Sequence, residues 1–151
     1  MTPPEARDGA TRTADTLATL RTEGIDAWVA TASPDGMPHL VPLSLLWSEE
    51  KAVIALPASS LTARNLTATG RARLGVGPTR DVVLLDVVLD RAVDVGDDEV
   101  LADVYAAQTG WDPRGSAGYV YLVLRPTRVQ AWREGNEIAG RTLMRDGVWV
   151  H

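Results

Sequence analysis

The chain has 151 residues, is 45% hydrophobic and 23% charged, and carries a formal net charge of −5. That balance suits one core-forming domain and leaves no basic surplus for a nucleic-acid partner. There is no cysteine and only two histidines, His39 and His151, which excludes disulfides and thiolate chemistry and argues against a multi-histidine metal centre.

Residues 1–11 are proline-rich and polar, so a disordered tail is expected there and a single domain over 12–151. The opening MTPPEARDGA lacks the basic-then-apolar order of a secretion signal, and no window approaches the roughly 18 apolar residues of a membrane helix. The expectation is a cytoplasmic protein with a small-molecule substrate and neither a membrane nor a nucleic acid as partner. A helix is expected from about Arg12 to Glu23, with Leu17 and Leu20 on one face and Gly24 as its stop. Strands follow over Ile25–Thr31, His39–Trp47 and Ala52–Leu56. The turns between them are Pro34-Asp35-Gly36 and Ser48-Glu49-Glu50-Lys51.

Ser60 to Thr69 reads as a short helix ended by Gly70, and Ala72–Val76 as the next strand. Asp81–Val95 is valine-rich and reads as one long strand. Its Asp86, Asp90 and Asp94 recur at every fourth residue, which places them on one polar face of an uninterrupted strand. Asp97–Thr109 is a helix with an acidic start and Gly110 at its end. A loop, Trp111-Asp112-Pro113-Arg114-Gly115, leads to strands over Tyr119–Leu124 and Arg128–Trp132, broken at Pro126. Arg145-Asp146-Gly147 then turns into Val148–Val150. Many short antiparallel strands with a few helices define a mainly β, α+β chain closing into a barrel.

Three segments carry groups able to hold a ligand. Ser59, Ser60, Thr62, Arg64 and Asn65 cluster at the start of the helix after Leu56. They are a helix cap or the grip on a phosphate. The strand PHLVPLSLL contains Pro38 and Pro42, which withdraw ladder hydrogen bonds and mark an edge or an irregular stretch. The segment WREGNEIAGRTLMRDGVW brings Trp132, Arg133 and Arg141 close in sequence, as a solvated hairpin or as an anion fork beside a stacking ring. Phenylalanine is absent and five tryptophans are present, so packing in place of Phe is the expected use of most of them.

The order DGMPHLVPLSLLW, KAVIALP, SSLTARNL, RARLGV and finally WREGNEIAGRTL resembles the flavin-binding split barrel of the pyridoxamine 5′-phosphate oxidase superfamily, over about Ile25 to Val150. The resemblance implies an antiparallel split β-barrel homodimer with FMN at its interface. Leu43, Ser44 and Leu45 would lie along the isoalloxazine ring, and Ala55 and Leu56 beside the ribityl chain. Ser59, Ser60, Thr62 and Arg64 would hold the phosphate. Trp132 and Arg141 would arrive from the second subunit.

Two departures bear on activity. Family oxidases usually carry Arg-Lys where this chain has Leu61-Thr62, and an Arg and a His where it has Glu137, Ile138 and Ala139. The resemblance therefore implies a flavin-dependent oxidoreductase that does not act on pyridoxamine phosphate. Three alternatives stay open. One is a reductase using the deazaflavin coenzyme F-420, whose anionic tail Arg71, Arg73 and Arg80 would line. The second is a non-enzymatic flavin or haem binder, with His39 as the internal histidine. The third is a barrel with no ligand.

Overall fold

The computed structural model describes residues 2–151. Helix α1 (Gly9–Leu20) opens where the Asp8 carboxylate accepts the Thr11 N–H at 2.7 Å. It starts three residues before Arg12 and stops at Leu20, ahead of Glu23. Its buried stripe is Arg12, Thr16 and Leu20, the four-residue spacing of one helix face. Within the stretch expected to be disordered, the Pro4 carbonyl accepts from Asn136 at 2.8 Å and Arg7 pairs with Glu137.

The strands are β1 (Asp26–Ala32), β2 (Pro38–Ser44), β3 (Leu46–Ser48), β4 (Lys51–Pro57), β5 (Arg71–Val76), β6 (Val82–Asp94), β7 (Tyr119–Trp132), β8 (Thr142–Arg145) and β9 (Val148–Trp149). Every pairing is antiparallel. The order is β2-β1-β5-β6-β7-β4-β3, with β8 on β7 and β9 on β8. Helix α2 (Leu61–Thr69) follows β4, and α3 (Glu99–Thr109) follows β6. Gly70 and Gly110 end these helices with φ of 75° and 73°, a conformation that costs glycine nothing.

Strands β2 and β4 are close in sequence but do not pair. Strand β2 pairs only with β1, and β3 covers β4 only at Lys51–Val53. One edge of β2 and the same-side edge of Ile54–Pro57 therefore have no ladder partner, and this gap splits the barrel. One core fills the barrel, with Val29, Leu45, Ile54, Leu74, Leu85 and Leu122 in it. A second lies under α3, where Leu46, Val53, Ala55, Tyr105, Tyr121 and Val123 pack. Among the tryptophans only Trp47 is buried, so Leu, Val and Tyr take most of the packing expected of Trp.

Three strand expectations change. The expected strand His39–Trp47 divides at Leu45, whose N–H donates to Ile25 O at 3.1 Å and turns the chain from β2 into β3. The break expected at Pro126 is a register shift inside a continuous β7. Asp86, Asp90 and Asp94 do not share a face. Asp90 is the extra residue of a bulge between Leu89 and Arg91, and one extra residue inverts the alternation beyond it.

Candidate functional site

The split opens into a cavity of about 330 Å³ lined by Pro42, Leu43 and Ser44 from β2 and by Ala55, Leu56 and Pro57 from β4. Two residues expected along the ring, Leu43 and Ser44, and two expected beside the ribityl chain, Ala55 and Leu56, thus meet in one place. Leu45 does not line it. Its side chain is fully buried in the barrel core and its carbonyl accepts from Gln108 at 3.2 Å. Asp26, Trp111 and Tyr119 complete the wall.

Tyr105 of α3 spans the gap from beneath. Its hydroxyl donates to Ser44 O at 3.4 Å, and the Ala55 backbone hydrogen-bonds the Tyr105 hydroxyl oxygen. Burial pushes the phenol well above its ordinary range, against the opposing Ala55 contact, so it stays a proton donor at any working pH. The two strand edges are thereby held together at one point and left open beside it. Unpaired N–H and C=O groups on a strand edge bind whatever offers a complementary row of donors and acceptors.

Past Pro57 the chain turns into α2. Ser60 is the N-cap, its Oγ accepting the Ala63 N–H at 3.2 Å, so the cap account of this residue is realised. Ser59 is exposed at the turn. Thr62 is only 2% exposed and faces the interior. Arg64 is exposed and, among the described residues, makes no side-chain hydrogen bond or ion pair. Asn65 is buried and donates to Thr31 Oγ1 at 3.1 Å, fixing α2 to β1. The Ala58 N–H donates to Gly118 O at 2.9 Å, which joins this turn to the loop before β7.

Trp132 and Arg141 form a separate unit. The Arg141 guanidinium lies 5.9 Å from the Trp132 ring centroid, a cation–π distance, and donates to Ile138 O at 3.0 Å. Tyr119, at the cavity, and Trp132 are the two ends of the same 14-residue strand, so one chain does not bring Trp132 to the cavity. The closing segment that carries them is clasped from the N-terminus. Arg7 donates to Glu137 from its backbone N–H, Nε and Nη2 at 3.0, 2.9 and 2.8 Å. The buried Arg12 Nη1 donates to the carbonyls of Ala131, Glu137 and Gly140. Glu137 is 2% exposed, and its carboxyl is lowered to about 2, chiefly by the Arg7 hydrogen bonds and against the cost of burial.

A second groove, of about 770 Å³, lies at the other end of β1 and is lined by Arg71 and Arg73 among others. Arg73 and Arg128 share Asp86, while Arg80 is elsewhere, bonded to Glu134 at 2.6 Å. Sequence reasoning passed over Trp111, Tyr119 and Tyr105. A tryptophan opening an otherwise polar loop was the available signal for the first, because exposed aromatics on loops commonly serve binding.

The chain belongs to the pyridoxamine 5′-phosphate oxidase family: the family model described as "Pyridoxamine 5′-phosphate oxidase" matches residues 13–133. A comparison with curated proteins gives no match. Solved structures share the fold. An F-420 reductase has 18% identity and a TM-score of 0.62, covering 73% of this chain and 92% of its own. A conserved hypothetical protein, Rv2991 from Mycobacterium tuberculosis, has 18% identity and a TM-score of 0.65, covering 90% of this chain and 91% of its own. The haem storage protein HutZ from Vibrio cholerae has 16% identity and a TM-score of 0.62, covering 78% and 92%. No helix among the described residues is long and apolar enough to cross a membrane.

Proposed function

We propose that this protein is a flavin-dependent oxidoreductase that binds FMN with its ring across the split between β2 and β4. The observation that carries the reading is the cavity formed by Leu43, Ser44, Ala55 and Leu56 beside unpaired strand edges. A flavin's pyrimidine edge is a row of alternating carbonyl and N–H groups, which is what such edges complement. Bound there, the flavin supplies hydride and electron transfer.

The chain's own residues bind and orient. Pro42, Leu43 and Leu56 present apolar surface that excludes water from the ring. Tyr105, permanently protonated, keeps the two edges at fixed separation. Ser59, the remaining proton of the Ser60 hydroxyl and Arg64 serve the phosphate, while Thr62 is largely buried. Hydride transfer needs no side-chain acid or base, which agrees with a cavity lined by a single carboxylate, Asp26.

Trp132 and Arg141 reach the cavity from a second copy in this reading. Its support is their position at the far end of β7 and an exposed apolar stripe on the outer face of β1 and β2, with Trp28 55% and Leu40 58% exposed. Glu137 is locked by Arg7, and the neighbouring Ile138 and Ala139 carry no charge, so the closing segment offers no cation at these positions for a substrate phosphate. Pyridoxamine phosphate is accordingly not the substrate.

The groove holding Arg71 and Arg73 favours a second reading, a reductase using coenzyme F-420, because an anionic tail would meet the Arg71 guanidinium there, beside Arg73 in its pair with Asp86. An absorbance spectrum of the purified protein, followed by parallel titrations with FMN and coenzyme F-420, tests both. Micromolar FMN binding is expected. Preference for the deazaflavin selects the second reading, and a haem band or binding of neither ligand overturns both.

A further inference from the structure

The loop between α3 and β7 bears on the cavity in a way that strand edges alone do not. Trp111 lines the cavity wall and is 39% exposed. It meets Tyr105 at a centroid distance of 6.1 Å and an interplanar angle of 70°, and Tyr119 at 5.8 Å and 72°. Both are edge-to-face contacts, so neither tyrosine stacks in parallel on the indole, and the ring keeps accessible surface beside the cavity.

The loop also carries a cluster of ion pairs. Arg114 reaches three carboxylates at once: Asp112 at 2.8 Å, Asp103 at 2.8 Å and Glu99 at 3.1 Å. Two of those belong to α3, so the guanidinium staples the loop to the helix that also carries Tyr105. At its far end the loop is tied to the turn before α2 through the Ala58 N–H and the Gly118 carbonyl. A tryptophan that served only to finish the core under α3 would need neither the opening nor the staple.

We propose that Trp111, backed by Tyr119, is the stacking wall of the site: it lies against the flat, fused-ring heteroaromatic portion of the ligand. Arg114 is the positioning residue that fixes its orientation. The proposal rests on the flavin-type reading of the cavity and deepens it. It assigns ring recognition to the α3–β7 loop of the same chain that supplies the strand edges, and it makes ring affinity independent of the phosphate turn. The class of ligand is a planar two- or three-ring system with a polar edge, since the cavity joins an aromatic wall to unpaired backbone groups.

The test uses the full chain labelled with 5-fluorotryptophan and riboflavin as the probe, because riboflavin carries the ring without a phosphate. The fluorine resonance that Trp111→Phe deletes belongs to Trp111. That resonance is expected to move on adding riboflavin to the wild type. Trp111→Ala should weaken riboflavin binding by about tenfold, the scale of one lost aromatic contact, and Trp111→Phe should retain most of it. Arg114→Ala should broaden or shift the Trp111 resonance in the free protein while circular dichroism stays native, a response a merely supporting side chain on the surface would not give. If riboflavin binds and the Trp111 resonance stays still, the stacking wall is wrong and the flavin reading survives. Should riboflavin, FMN and coenzyme F-420 all fail to bind the wild type, both are wrong.

Discussion

Arg7 and Glu137 lie 130 residues apart in sequence and form a buried ion pair, with three N–H groups of Arg7 on one carboxylate. The Arg133 N–H adds a fourth bond at 2.9 Å. Because the pair is buried, removing one partner strands the other. Glu137→Gln is expected to destabilise the fold by about 3–5 kcal/mol at neutral pH, read by urea unfolding. A loss under about 1 kcal/mol would show that the clasp is ornamental.

The same pair sets an acid limit. Unfolded, the Glu137 carboxyl titrates near 4.5; folded, it is lowered to about 2. A depressed carboxyl contributes stability that is complete above the unfolded value and lost as pH falls toward the folded one. The wild type should therefore lose stability between about pH 4.5 and 2 more steeply than Glu137→Gln, which has no such group. Parallel slopes in acid titrations monitored by circular dichroism would contradict this assignment.

Arg64 is the one cation close to the Ser59–Ser60 turn in sequence, so it should act on the phosphate and not on the ring. Arg64→Ala is expected to lower FMN affinity by about tenfold, the loss of one charged hydrogen bond, and to leave riboflavin affinity unchanged. An unaltered ratio of the two affinities in calorimetric titrations would remove Arg64 from the site.

Trp28 and Leu40 stand on adjacent registers of β1 and β2, where Trp28 faces Pro42 and Leu40 faces Ala30. An exposed apolar stripe of this kind across two strands is suited to a second copy. Light scattering is expected to show a dimer at micromolar concentration and a monomer for the Trp28→Asp, Leu40→Asp double variant. A clean wild-type monomer would leave Trp132 and Arg141 without a route to the cavity.

The β3–β4 turn holds Glu49 and Glu50 at φ of 52° and 59°, left-handed conformations that side chains adopt at a cost. Two-residue hairpin turns of this kind favour Asn at the first central position. Glu49→Asn should stabilise the protein by about 0.5–1 kcal/mol, seen as a raised Tm. A lowered Tm would mean that Glu49 makes a contact in solution that the fold does not reveal.

Much of this architecture was legible in local sequence. Gly70 and Gly110 announced helix ends, Glu49-Glu50 a tight turn, and the proline-bearing β2 an edge, because each depends on the backbone preferences of a few adjacent residues. Leu43, Ser44, Ala55 and Leu56, singled out by the family resemblance, line one cavity, whereas Leu45 does not. What stayed hidden depends on distant partners. Arg12 reads as a polar helix residue until the carbonyls of Ala131, Glu137 and Gly140 surround it. The bulge at Asp90 arises from pairing with β7 and breaks an even spacing that looked like one face. Thr62 matched a phosphate motif by position, and its place on the buried face of α2 with Asn65 and Leu66 shows only once the helix packs.

A flavin-type ring across the split between β2 and β4 would register in the backbone amide chemical shifts of the residues beside it. On titrating FMN into nitrogen-15-labelled protein, the largest shifts are expected at Leu43, Ser44, Ala55 and Leu56, with smaller ones at Ser59 and Ser60. Shifts confined to the Arg71–Arg73 groove, or none at millimolar FMN, would contradict it.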